Sequence, residues 1–260
     1  MTWRPQKIRE AGIPFALPPE RDLPERLNAV LAAIYLIFNQ GYSARKDGVA
    51  EPRTCEEAIW LARLLRRLYP SHEELAGLLA LMLLQHARHP ARVRDDTLIA
   101  LDEQDRSLWR TDLLTEGITL IKHTLARNAP GPYQTQAAIA ALHGEAQTAV
   151  DTDWQQIAVL YAILEEQLPN PVVTLNRAVA ILHAGDPETA NELMQKLEAE
   201  HADRMKHYVP FLAARAHALY SIAGNHSEAA TTYIRAAADA SDNPEERRFL
   251  ESRIEVYRNG

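Results

Sequence analysis

The sequence predicts an all-α fold, a right-handed solenoid of helical hairpins, and three observations carry that expectation. Apolar residues recur with a period near 3.6 after Pro24, as in Leu27, Val30, Leu31, Ile34 and Phe38. Asn170-Pro171, Asp186-Pro187 and Asn243-Pro244 each place a side-chain acceptor before a proline at the first helical position, where the missing N–H is not needed. Glycine, at 10 of 260 residues, is scarce for a turn-rich β protein. One short β-hairpin near residues 93–101 is the expected exception, because Val93, Asp95-Asp96, Leu98, Ile99 and Leu101 break the helical rhythm.

Each element has its own local signal. Residues 1–24 hold five of the 15 prolines and read as a linker, basic in its first ten residues through Arg4, Lys7 and Arg9. Residues 25–260 read as a single domain. The first helix follows Pro24. The second is expected to start at Thr54, with Glu57 completing a capping box, and to bury Ala58, Leu61, Ala62, Leu65 and Leu68 before Pro70 stops it. Ser71 and Glu74 repeat the capping box and open a third helix, to about His86, antiparallel to the second. Helices resume near Ser107–Ala126 and Tyr133–Ala146, and Asp153 caps another that runs to about Leu168.

The last third carries a repeat signal. Tyr220, Gly224, Ala229, Tyr233 and Ala236 fall at tetratricopeptide spacings, with Ala178, Gly185, Ala190 and Met194 as a looser match upstream. Gly185 and Gly224 would permit left-handed turns between paired helices. They lie 39 residues apart where the repeat wants about 34, so an irregular array is expected.

Composition excludes several classes of function. A lone Cys55 rules out an internal disulfide framework or a multi-cysteine zinc site. A net charge of −7 weighs against sequence-independent binding of nucleic acid or acidic lipid. The longest apolar run, Leu75 to Leu84, is half the ~20 residues of a membrane span, so a cytoplasmic protein is expected. No dinucleotide fingerprint, P-loop or nucleophile elbow occurs. Cys55 lies beside Glu56 and Glu57, which oppose thiolate formation. His86 and His89 read as a polar helix end. Glu198 and His201 form one Glu-x-x-His unit where a di-metal bundle needs two. The expectation is a non-enzyme without cofactor or metal.

Five polar clusters are harder to assign to caps and core. They are Asn39 and Tyr42; Asp105, Arg106 and Trp109; Tyr133 and Gln134, on a helix that also carries His143; Asp153 and Trp154; and Asn176 and Arg177. Side chains of this kind lining a solenoid groove would bind a peptide or a small anionic ligand. His143 with Asp151 or Asp153 is the least favoured reading, an acid–base pair.

At these clusters the sequence resembles the C-terminal tetratricopeptide-like extension of a group of bacterial extracytoplasmic-function sigma factors, within the sigma-70 family. The matching segments run in family order over nearly the whole chain. They are Lys7 to Phe15, Tyr35-Leu36-Ile37-Phe38-Asn39-Gln40-Gly41-Tyr42-Ser43-Ala44, Leu81 to Leu84, Asp105-Arg106-Ser107, Gly131-Pro132-Tyr133-Gln134, Asp151-Thr152-Asp153-Trp154 and Leu175-Asn176-Arg177-Ala178-Val179-Ala180.

The resemblance implies a regulatory domain that acts on sigma regions in place of a separate anti-sigma protein. The implied partners are the sigma DNA-binding regions or RNA polymerase, together with small YCII-like (DGPF-type) proteins. In such sigma factors two DNA-binding regions precede the extension, and here the match begins at the linker after them. The expectation is an excised domain or a short product that does not recognise promoters alone. A stand-alone tetratricopeptide scaffold is the alternative.

Overall fold

A computed structural model describes residues 19, 22–43, 52–94, 97–126, 130–223, 228–242 and 244–259. Among these, twelve α-helices follow one another: α1 (Leu23–Ser43), α2 (Pro52–Leu68), α3 (Glu73–Ala87), α4 (Thr111–Leu125), α5 (Pro132–Glu145), α6 (Trp154–Gln167), α7 (Pro171–His183), α8 (Pro187–Glu200), α9 (Ala202–Met205), α10 (Val209–Ala223), α11 (Glu228–Ala240) and α12 (Pro244–Asn259). The expected hairpin is reduced to β1 (Val93–Arg94) and β2 (Thr97–Leu98), antiparallel with Val93 opposite Leu98. Single 3₁₀ turns at Leu101–Glu103 and Arg106–Leu108 fill the rest of that stretch. No described helix is long and apolar enough to cross a membrane.

The extensive helix contacts join elements close in chain order, as in a helical repeat protein. Three regions of core follow from this. α3 is buried from Leu75 through Leu84 on every face, and packs against α1, α2, α4 and α5. A helix apolar all round has nowhere else to go. Ile139, Ile157, Leu164, Val173 and Ala180 knit α5, α6 and α7 together. Leu175, Met194, Met205, Phe211, Ile234 and Tyr257 unite α7 to α12.

The local signals held best where one side chain acts on its own helix. Asn170, Asp186 and Asp153 each cap, accepting hydrogen bonds from the N–H of Val172, Thr189 and Gln156 at 2.9, 3.0 and 2.9 Å. Gly185 takes the left-handed turn, at φ 94°.

Several expectations are corrected. α2 starts at Pro52, so Thr54 lies inside it and is not its N-cap. α3 is capped by His72, whose Nδ1 accepts from the N–H of Leu75, in place of Ser71. Val30 and Leu68, placed on buried stripes, are exposed. The tetratricopeptide frame in α11 is displaced by one residue: Ala229 is exposed while Ala230, Ile234 and Ala237 are buried. The short α9 carries no periodic pattern that would have announced it. α1 begins at Leu23, inside the proposed linker, most of which lies outside the described residues, as do Asn243 and Gly224.

Candidate functional site

The C-terminal end of α3 meets α5, α6 and α7 around a cavity of about 380 Å³. Its polar lining is Gln85 and Arg88 from the end of α3, Gln136 and His143 from α5, Tyr161 from α6, and Asn176 from α7, with Asn170 at the rim. Its apolar walls include Leu81, Ile139 and Val173. Among the described residues no carboxylate lines it. The Arg88 guanidinium donates to the Tyr42 hydroxyl at 3.4 Å and has no carboxylate partner among the described residues. The Gln85 Oε1 is buried without a hydrogen-bond partner.

A smaller space of about 90 Å³ adjoins it, sharing Leu101 and His143 and bounded by Asp102, Arg106, Thr152, Trp154 and His183. The sequence builds its wall from the loop before α4. Arg106 Nη1 donates to the carbonyls of His143 and Ala146 at 2.6 and 2.7 Å. Those carbonyls end α5 and have no intrahelical partner, and a cation there complements the helix dipole. The Arg106 guanidinium also lies 4.7 Å over the ring of buried Trp109. Asp105 fixes the turn by accepting from the N–H and hydroxyl of Ser107.

A row of rings crosses this face. His143 meets Trp154 edge-on at 5.2 Å, Trp154 stacks on His183 at 4.4 Å, and His183 meets His217 edge-on at 5.9 Å. Burial lowers the pKa of all three histidines. His143, only 9% exposed, is pushed down to about 4 by burial and then by the positive charges of Arg88 and Arg106 and by His183. It is a neutral imidazole at neutral pH. Neither ring nitrogen has a hydrogen-bond partner among the described residues.

The remaining predicted site residues hold the fold. Tyr42 stacks on Phe38, carries Arg92 over its ring at 3.5 Å, and gives its carbonyl to Arg92. Asn39, on the same helix turn, approaches the Tyr35 hydroxyl. Tyr133 and Gln134 open α5, and their backbone N–H groups donate to the Glu74 carboxylate. Asp153 is a cap. Arg177 pairs with Glu165 at 2.8 Å, tying α7 to α6, while its neighbour Asn176 lines the cavity. Thus Arg106, His143, Trp154 and Asn176 gather at the two spaces, and the other eight do not. Gln85, Arg88, Gln136, Tyr161, His183 and His217 belong to the site and were not singled out for it. Arg88 and Gln85 sit in a segment that reads only as a polar helix end.

The carboxylates and the thiol of the other readings are engaged elsewhere. Asp151 accepts from Thr148 and Asp153 from Gln156, and no hydrogen bond or ion pair joins either to His143 among the described residues. Cys55 is buried, its thiol pushed up to about 11 by burial. Among the described residues no group of three or more His, Cys, Asp or Glu is placed to hold a metal.

Residues 26–125, which span α1 to α4, match a family of unknown function, DUF6596. Over 242 residues, 92% of its length, the chain is 43% identical to an uncharacterized protein of Rhizobium meliloti (strain 1021). That stretch is 56% of the relative, so the chain spans little more than half the length of the curated protein it matches. No solved structure matches the chain.

Proposed function

We propose that the chain is a regulatory protein-interaction domain of the kind attached to extracytoplasmic-function sigma factors, acting on transcription initiation through the sigma DNA-binding regions or RNA polymerase, with a small YCII-like (DGPF-type) protein as a further partner. The observation that carries this reading is the ordered series of motifs from Lys7 to Ala180 that resembles the sigma-factor extension. Two features support it. The helical-repeat architecture presents broad surface of the kind that repeat proteins use for binding. The first hairpin exposes large apolar side chains, with Leu36, Trp60 and Leu68 at 68%, 61% and 68%, apolar surface that a partner would cover.

The test is capture in trans. The full chain is expected to retain the DNA-binding regions of an extracytoplasmic-function sigma factor, or core polymerase, on an affinity column. A Leu36→Lys, Trp60→Lys variant should keep its melting temperature and lose the capture. Failure of the folded wild-type chain to retain either one, with an unrelated peptide partner recovered in their place, would establish the stand-alone scaffold.

A further inference from the structure

We infer that the cavity between α3, α5, α6 and α7 is a binding site for a small organic anion, its oxyanion head held by Arg88 and its apolar body lying against Leu81, Ile139 and Val173. The inference stands on the cavity alone and is independent of the proposed partner.

Four observations converge. The cavity, at about 380 Å³, lies within the range of small-molecule sites, roughly 300–1,000 Å³. Among the described residues its lining carries one guanidinium and no carboxylate, and the Arg106 cation bounds the adjoining space, its pKa lowered by burial and then by the charge of Arg88. A guanidinium that faces a cavity and has no carboxylate partner among the described residues leaves a positive potential there that an anion relieves. The Oε1 acceptor of Gln85 is buried with no partner. Buried polar groups are seldom left unpaired, so a ligand hydroxyl donating to this oxygen would satisfy it.

The chemistry of the lining narrows the ligand. Arg88 offers a planar fork that suits a carboxylate or phosphate. The neutral His143 donates from one nitrogen and accepts at the other, so it suits a hydroxyl or amide next to the charged head. The amides of Gln136 and Asn176 and the phenol of Tyr161 add neutral polar contacts. Between them lie aliphatic walls. A ligand with one oxyanion head, a neighbouring hydroxyl and an apolar body fits all three. An extended polyanion does not, because the lining holds a single fork.

The experiment uses the purified full chain and four probes: 4-hydroxybenzoate, hexanoate, phenyl phosphate and, as a neutral control, 4-hydroxybenzamide. At a probe concentration about ten times Kd, an anion should raise the melting temperature by roughly 3 °C, and the amide should not. Whether the carboxylates or the phosphate give the larger shift identifies the head group. Arg88→Gln should weaken binding of the best anion at least tenfold by calorimetry. Asn176→Asp sets an isosteric carboxylate in the cavity and should do the same without altering the helical circular dichroism, which covers the case in which Arg88→Gln does not fold. A shift as large for the amide as for the acids, no shift with any anion, or undiminished binding by folded Asn176→Asp each overturns the inference.

Discussion

The carboxylate of Glu74 accepts the backbone N–H of Gln134 at 3.1 Å across 60 residues of sequence. It accepts from Tyr133 N–H at 3.0 Å with its other oxygen, and from the Gln134 side chain. One side chain in the first turn of α3 therefore caps the start of α5. Gly131 leaves room for it, since a Cβ there would fall 2.4 Å from the carboxylate carbon and push the capping carboxylate aside. Glu74→Ala should lose about 2 kcal/mol of stability in urea unfolding, the scale of hydrogen bonds to a charged group. Glu74→Gln should recover part of this. An unchanged midpoint in both variants would mean that α5 needs no cap from α3.

Gly77 and Gly185 test two different reasons for glycine. A Cβ at Gly77 would meet the backbone nitrogen of Gln134 at 2.7 Å, so Gly77→Ala should destabilise by about 1–3 kcal/mol through forced separation of α3 and α5. Gly185 has open space around it and a positive φ. Gly185→Ala should lose about 1 kcal/mol from backbone strain alone, and Gly185→Asn distinctly less. Equal losses for Ala and Asn at position 185 would contradict the left-handed turn.

Arg177 is expected to matter little for binding. Its ion pair with Glu165 is partly exposed, so Arg177→Ala should cost about 0.5–1 kcal/mol and leave partner capture unchanged. Burial pushes the Glu165 carboxyl up, but hydrogen bonds from Thr174 and Arg177 outweigh it and the pKa is lowered. A lowered carboxylate contributes stability above its unfolded pKa and loses it as pH falls through the folded value. The difference between wild type and Arg177→Ala should therefore shrink below about pH 4. A difference that persists at pH 3 would assign the loss to packing of the arginine stem.

His143 gives the second pH dependence. Unfolded imidazole titrates near 6.5 and the folded one near 4, so the unfolded chain binds the proton first as pH falls. Stability is full above about pH 6.5, declines below it, and stops declining on this account near pH 4. The full effect is roughly 3 kcal/mol. His86, His89, His183 and His217 are lowered too, chiefly by burial, and act in the same direction. His143→Gln should make the fall between pH 6.5 and 5 shallower in urea titrations. An identical slope would show that His143 protonates in the folded chain as it does in the unfolded one.

The sequence made legible what one helix does alone. Asn170, Asp186 and Asp153 sit before helices and cap them, because a cap needs only its own next three residues. It did not make legible what two helices do together. Arg177 and Asn176 look equivalent in sequence, yet a turn of about 100° sends one to Glu165 and the other to the cavity. Glu74 reads as a first-turn carboxylate of α3, and its bond to α5 depends on a crossing no local pattern encodes. Ser71 and Thr54 failed as caps because Pro52 starts α2 earlier and the imidazole of His72 takes the N–H of Leu75 at the start of α3. The cavity was half legible. His143, Trp154 and Asn176 stood out as polar groups in helices made for packing, whereas Arg88 lay hidden among ordinary helix-end residues.

The burial of α3 has a consequence for how the molecule comes apart. Its amides lie beneath four other helices, so solvent reaches them only when both sides of the stack have opened. The helix α12 packs chiefly on α11, with Tyr257 stacked on Tyr220 of α10, and its detachment leaves the helices before α10 in place. Deuterium uptake should therefore sweep from the C-terminal end toward residues 75–84, and those residues should hold their protons until the whole chain lets go.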